Sequence, residues 1–395
     1  MKEKIKKLNI EILNWFLKDV IPRWENDGVD YESGGFFEEI NKKGPILLPK
    51  RTRVVCRQIY VFYIAYKLTL KQKFLNLIDH GAEFLLQYLL TLEKDSFIYS
   101  FDLTSKKKNT KLYLYEQSFA LLGLAVIYKE SSIYSSDALT IAKKIILRIR
   151  ELWGINLSEI NNSLNWKDHI LSDPYMHLLE SSLFWEEINK NSGKNKDIIF
   201  CNNFSNELIN LTLDKFINPN TSFVHEAIQN KFFKKRFKNP LESKIFPGHQ
   251  YEWGTLICSY GINKKSEYYY NLGSKIIRDI EILGLDKKRN MIINEINKDF
   301  EITDNSFKLW PQTERIKAWA LILKNNKFKK DAKGDFKNYL SSLKGFSTFI
   351  DNDFEGCWKE ILSQNGSSIK NNVKASSLYH IASAIDLIND LNKDF

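Results

Sequence analysis

The feature that most constrains this chain is a rhythm. Apolar residues recur at helical spacing over 4–22, 54–70, 72–92, 114–129, 135–153, 174–189, 199–217, 249–262, 265–284, 287–298, 311–325, 328–343 and 375–391. The gaps between them are short, and no Ser/Gly/Pro-rich run separates one half of the chain from the other. Such a succession predicts one continuous all-α domain over 1–395, although length alone would suggest two or three.

Short pieces between the helices share an outline. "GGFFEEINKKG" (34–44) and "EGCWKEILSQNG" (355–366) each run from glycine through an aromatic, a glutamate and an aliphatic to a polar turn. "SFIYSFDLTSKKKN" and "SFVHEAIQNKFF" echo them. Alternation ending in turn residues predicts short β-hairpins on one rim of a repeated helix–loop–helix unit.

The net charge of +10 raises the question of nucleic acid. The basic residues are spread along the chain and interleaved with acids, as in "KKDAKGDFK", and the tightest cluster, "NKFFKKRFKNP" (230–240), reads as a solvated loop. No nucleic-acid partner is expected. Cys56, Cys201, Cys258 and Cys357 lie far apart without CxxC spacing, which predicts free, mostly buried thiols. No 18-residue apolar span suggests a membrane helix, and the amphipathic N-terminus lacks a signal peptide's apolar core. A soluble cytoplasmic protein, monomeric or homodimeric, is the expectation.

Several helices begin alike. "SDPYMHLLESSLF" places Pro174, then His177 and Glu180; "FPGHQYEWGTLIC" places Pro247, then His249 and Glu252; "LWPQTERIKAW" places Pro311, then Gln312 and Glu314. "LYLYEQSFALLGLA" sets Glu116 and Gln117 before an apolar run, and "ASSLYHIASAI" sets His380 among small and apolar residues. Proline suits the first helical turn, where its missing N–H has no partner to lose. Spacing of three puts His177 with Glu180, and His249 with Glu252, on one helical face. A single such histidine is usually a satisfied core residue, and a carboxylate in a first turn complements the helix dipole. Recurrence favours convergence of these first turns on one ionisable cavity. "PKRTRVVCRQIYVFYIAY" adds Arg51, Arg53 and Arg57 to a helix start, suited to sugar oxygens or to a salt bridge with Glu116 or Glu314.

"RTRVVCRQIYVF", "YEQSFALLGLA", "DPYMHLLESSL", "PGHQYEWGTLI", "LWPQTERIKAW" and "SLYHIASAI", with "GGFFEEINKKG", resemble the N-acylglucosamine 2-epimerase superfamily from about residue 30 to 390. That superfamily includes mannose isomerases, mannose-6-phosphate isomerase-like proteins, sulfoquinovose isomerases and cellobiose 2-epimerases. The resemblance implies an (α/α)6 barrel with a monosaccharide, free or phosphorylated, bound in a funnel at one end. It implies that His249 and His380 are the acid/base pair, and that Arg57, His177, Glu180, Arg236, Glu252 and Glu314 bind or polarise the sugar. The "TRVVCRQIYVF" version is most similar to the mannose-isomerase branch. No segment matches the glycine-rich nucleotide loop of animal-type members, so no cofactor is expected.

The chemistry suits the residues. Moving a proton at C2 of an aldose needs a base titrating near neutrality, and histidine is the natural one. The developing enediolate needs preformed donors such as Arg57 and His177. His380 is expected to take the C2 proton, and His249 to open the ring or serve the opposite face. Isomerisation and 2-epimerisation both remain open, as do a glycoside hydrolase or lyase and a non-catalytic sugar-binding barrel. No Cys/His cluster has zinc spacing, so metal-independent catalysis is expected.

Overall fold

The computed structural model describes residues 1–153, 169–191, 199–229, 239–325, 332–369 and 372–393. Its α-helices are, in chain order, α1 Lys2–Trp15, α2 Ile21–Asp27, α3 Thr52–Thr69, α4 Gln72–Phe84, α5 Leu114–Glu130, α6 Ser135–Trp153, α7 Asp173–Asn191, α8 Ile199–Leu211, α9 Pro247–Lys264, α10 Glu267–Leu283, α11 Leu309–Lys324, α12 Ala332–Ser347 and α13 Ala375–Asn392. They belong to two compact units. The first unit comprises Asp30–Glu38 and Leu47–Ser243; the second comprises Met1–Val29, Glu39–Ile46 and Lys244–Phe395.

Each unit repeats one theme, an inner helix followed by an outer one. In the first unit α3 packs on α4, α5 on α6 and α7 on α8, and α5 packs on both α3 and α7. In the second unit α9 packs on α10, α11 on α12 and α13 on α1, with α11 between α9 and α13. The division follows from the sequence. α5 and α13 are mostly apolar or small, α9 and α11 carry buried amide and charged side chains as well, and all four are buried over most of their length. α6 buries a single stripe, Ala138, Ala142, Ile145, Ile146 and Ile149, at the spacing of one helical face. Among the described residues no helix is long and apolar enough to cross a membrane. Cys56, Cys258 and Cys357 are free and buried, as expected; the Cys201 side chain lies outside the described residues.

Two devices hold the inner helix starts. Gly34 (φ 84°) and Gly356 (φ 70°) take the left-handed conformation at matching places in the two repeated loops. Four residues on, a buried glutamate reaches the backbone just ahead of an inner helix. Glu38 accepts from the Arg51 N–H (2.7 Å) before α3, and Glu360 accepts from the Lys374 N–H (2.7 Å) before α13. The second device is a glutamine one turn into the helix. Gln117 of α5 bonds both the N–H and the C=O of Phe97, and Gln312 of α11 bonds both those of Ile292. Each amide thereby satisfies strand backbone that is buried away from water.

The hairpins differ in part from expectation. Glu39–Asn41 folds against Gly44–Ile46, and Ser100–Asp102 against Lys107–Asn109, as local hairpins. The "EGCWKEILSQNG" segment closes its turn through an antiparallel Leu362–Ser368 bridge and also pairs Ile361–Leu362 with Phe307–Lys308, and "FVHEAIQ" pairs Ala227–Gln229 with His169–Leu171. The helix expected over 287–298 does not form. Met291–Ile292 and Glu295–Asn297 are strands, the latter paired with Lys244–Ile245 and Ile302–Asp304. Ile292 and Ile296 mimic an i, i+4 apolar stripe, but "EIN" at 295–297 repeats the "EIN" of the hairpin at 39–41. Both strands end in the same Asx turn, Asn41 accepting from the Lys43 N–H and Asn297 from the Asp299 N–H.

A buried carboxylate ties α9, α10 and α11 together. Glu281 of α10 accepts from the Tyr251 hydroxyl of α9 (2.6 Å) and from the Trp319 Nε1 (2.8 Å) and Arg315 Nε (2.9 Å) of α11. Arg315 is 0% exposed and also donates to the Asn290 carbonyl and the Ser341 hydroxyl. Removing one partner of such a pair leaves the other charge buried. Glu281→Ala is therefore expected to lower unfolding stability by about 3–5 kcal/mol, measured by denaturant titration.

Candidate active site

In the second unit the polar residues of three inner helices meet. α9 carries His249 and Glu252, α11 carries Trp310, Glu314 and Lys317, and α13 carries His380. Glu314 is 0% exposed and divides its oxygens. Oε1 lies 2.8 Å from His380 Nδ1, and Oε2 lies 2.8 Å from the Lys317 ammonium as an ion pair. Burial pushes this carboxyl up, but Lys317 and His380 outweigh burial and hold it below its ordinary value. Glu252, also buried, brings a carboxylate oxygen to within 4.8 Å of ligand atoms of both Glu314 and His380. That spacing would let one atom from each of the three residues reach a single cation.

Trp310 sits between the two histidines. Its ring centroid lies 5.1 Å from that of His249 and 5.8 Å from that of His380. The glycine of "PGHQ" is explained by the same ring. A Cβ at Gly248 would stand 2.5 Å from two Trp310 ring carbons. His249 is half-buried, packed edge-on against Phe246 at 5.4 Å.

In the first unit the expected His177–Glu180 pair forms on α7, with Nδ1 and Oε2 2.9 Å apart. Asp173, one turn earlier, lies 3.3 Å from His177 Nε2. The imidazole packs on Phe119 (centroids 4.4 Å) and meets the Tyr115 ring edge-on at 5.3 Å. Arg57 of α3 lies over the Phe119 ring at 4.0 Å and donates to the Tyr115 hydroxyl at 3.0 Å. Burial pushes the Tyr115 hydroxyl above its ordinary value while Arg57 opposes the shift. The phenol therefore stays protonated and polar beside the guanidinium.

The other arginines take structural partners. Arg53 binds Glu116 through Nη1 (2.6 Å) and its backbone N–H (2.7 Å), which is the salt-bridge alternative. Arg51 binds Glu38. Arg236 lies outside the described residues. Sequence reasoning missed Trp310, Lys317 and Tyr115. "WPQTE" placed Trp310 beside the motif, and the three-residue step from Glu314 to Lys317 was available as a helical pair.

A lowered carboxyl stabilises the fold above its unfolded value, here 4.5, and that contribution is lost as pH falls through the folded value. Glu314→Gln is accordingly expected to be less stable than the wild type at pH 7, with the gap narrowing on acidification below about pH 4.5. Thermal unfolding of both proteins across pH 3–7 checks this; a pH-independent gap would contradict it.

A family model described as N-acylglucosamine 2-epimerase (GlcNAc 2-epimerase) matches residues 35–384. Mannose-6-phosphate isomerase of Rhizobium meliloti (strain 1021) is 24% identical over 394 residues, 97% of each chain. Among solved structures, a D-mannose isomerase matches with a TM-score of 0.80 at 17% identity, over 96% of this chain and 97% of its own. Cellobiose 2-epimerase from Bacillus thermoamylovorans B4167 matches with a TM-score of 0.79 at 18% identity, over 97% of this chain and 99% of its own. At these identities the likeness shows the fold, the expected (α/α)6 barrel with short strands.

Proposed function

The chain belongs to the N-acylglucosamine 2-epimerase family of carbohydrate isomerases and epimerases, and from that premise we propose that it isomerises a mannose-type aldose, mannose or mannose 6-phosphate, to the fructose form. The observation that carries this reading is the 2.8 Å contact between Glu314 and His380 Nδ1. With Nδ1 donating to a carboxylate, Nε2 carries the lone pair, and the ring is oriented as a base. His380 removes the proton from C2 and the C1 carbonyl becomes an enediolate; the O2 hydroxyl proton passes to O1, and return of the proton to C1 leaves O2 as the ketose carbonyl.

His249 opens the sugar ring or serves the opposite face of C2. Trp310 offers an apolar face to the sugar between the two. Arg57 and His177, the latter oriented by Glu180, bind and polarise the sugar oxygens, with Arg236 as a further binding residue. Glu252 adds a carboxylate beside His380. Catalysis is metal-independent on this reading, because the Lys317 ammonium already neutralises Glu314 and would repel a divalent cation there.

A second reading, 2-epimerisation, is favoured by the two histidines packing on one Trp310 ring. Two bases at one platform are what reprotonation of C2 from the other face requires. The glycosidase alternative needs one carboxyl as acid and another as nucleophile or base. Glu314 is already committed to Lys317 and His380, which disfavours it.

Proton NMR in D2O with mannose, glucose, fructose, mannose 6-phosphate and N-acetylmannosamine tests the proposal. A mannose-type aldose is expected to exchange at C2 and yield the ketose; a C2 epimer as product supports the second reading, and no exchange on any sugar overturns both. Turnover is expected to persist in excess chelator. Its loss, reversed by added metal, would contradict the metal-independent mechanism.

A further inference from the structure

Lys317 is the one residue of the Glu314 group that the aldose chemistry has not used. Its side chain is only 10% exposed, on a helix otherwise buried from Pro311 to Leu323. A lysine costs free energy there unless its charge is matched, and Glu314, one helical turn back, matches it at 2.8 Å. We infer that Lys317 is a positioning residue for the proton transfer: by holding Oε2 of Glu314 it fixes Oε1 on His380 Nδ1 and keeps His380 a neutral base. The inference rests on the aldose chemistry proposed above.

Two arguments support it. The terminal torsion of a glutamate is broad, so a carboxylate held at one oxygen is free to turn. Ion-paired with Lys317 at Oε2 and in contact with His380 at Oε1, it presents a single edge to the imidazole. The second argument is charge. The ionisable groups around the His380 ring in the second unit include Glu252 from α9, Glu314 and Lys317 from α11, and Tyr379 on its own helix. Without Lys317, two carboxylates would face one histidine. The cheapest neutralisation would be an imidazolium, which has no lone pair with which to take a proton. Lys317 supplies that positive charge and spares the imidazole from supplying it.

The test compares the wild type with Lys317→Met, which keeps the apolar stem and removes the charge, and with Lys317→Arg. Lys317→Gln replaces the methionine variant if that one does not fold. A base displaced by about 1 Å loses roughly a hundredfold, so kcat for Lys317→Met is expected to fall about 10- to 100-fold. KM is expected to stay within about threefold, and Lys317→Arg to recover most of the rate. In 15N-histidine-labelled resting enzyme, the His380 Nδ1–H resonance, assigned with His380→Asn, is expected to shift or vanish in Lys317→Met and to return in Lys317→Arg. An unchanged kcat, a raised KM at unchanged kcat, or an unmoved resonance overturns the inference; raised KM would make Lys317 a sugar ligand instead. Should the wild type turn over no aldose, the proposed function fails, while the resonance still decides for or against Lys317.

Discussion

A carboxylate buried among packed helices must be matched where it stands, and Glu281 sets the geometry of the second unit for that reason. Taking a charge from water into a protein interior costs several kcal/mol, recovered only when geometry and hydrogen bonds are both good. Glu281 meets the condition with Tyr251 from one inner helix and Arg315 and Trp319 from the next. Tyr251 lies two residues after His249, and Arg315 follows Glu314 directly. The pairing that neutralises Glu281 therefore fixes the two helix starts that carry the site chemistry. The glutamines at 117 and 312 and the glutamates at 38 and 360 act on the same rule: the glutamines satisfy buried strand backbone, and the glutamates the N–H just ahead of an inner helix.

The second buried carboxylate, Glu314, turns this rigidity into chemistry. It is held between Lys317 and His380 and stays ionised despite complete burial. A fixed anion beside an imidazole selects the tautomer and the orientation of a base without requiring any motion during the reaction. The first unit carries a complementary set: Arg57 lies over Phe119 and donates to Tyr115, while His177 is oriented by Glu180. Both sets occur near inner helix starts, where proline or a short strand fixes where the helix begins.

Much of this was legible in the sequence, and the failures share one cause. The periodicity over 135–153 predicts helix α6 at its observed bounds, because its apolar stripe is regular from Ala138 to Trp153. The His177–Glu180 contact was legible because three residues along a helix is a spatial neighbour. The partner of His380 was not. Glu314 stands 66 residues away, and no local spacing encodes a contact made by packing two helices side by side. The strands Met291–Ile292 and Glu295–Asn297 are hidden by a chance helical spacing of isoleucines, although the "EIN" at 295–297 repeats that of the hairpin at 39–41. The pairings of Ile361–Leu362 and Ala227–Gln229 were likewise set by distant strands.

The account stands on His380 as the base at C2, and solvent exchange at that carbon measures it directly. Deuterium entry at C2 of the active aldose is followed by NMR in D2O for the wild type, His380→Asn and His249→Asn, each confirmed folded. The account predicts that His380→Asn abolishes C2 exchange, while His249→Asn retains it on an open-chain sugar that needs no ring opening. Exchange in His380→Asn at the wild-type rate would contradict it.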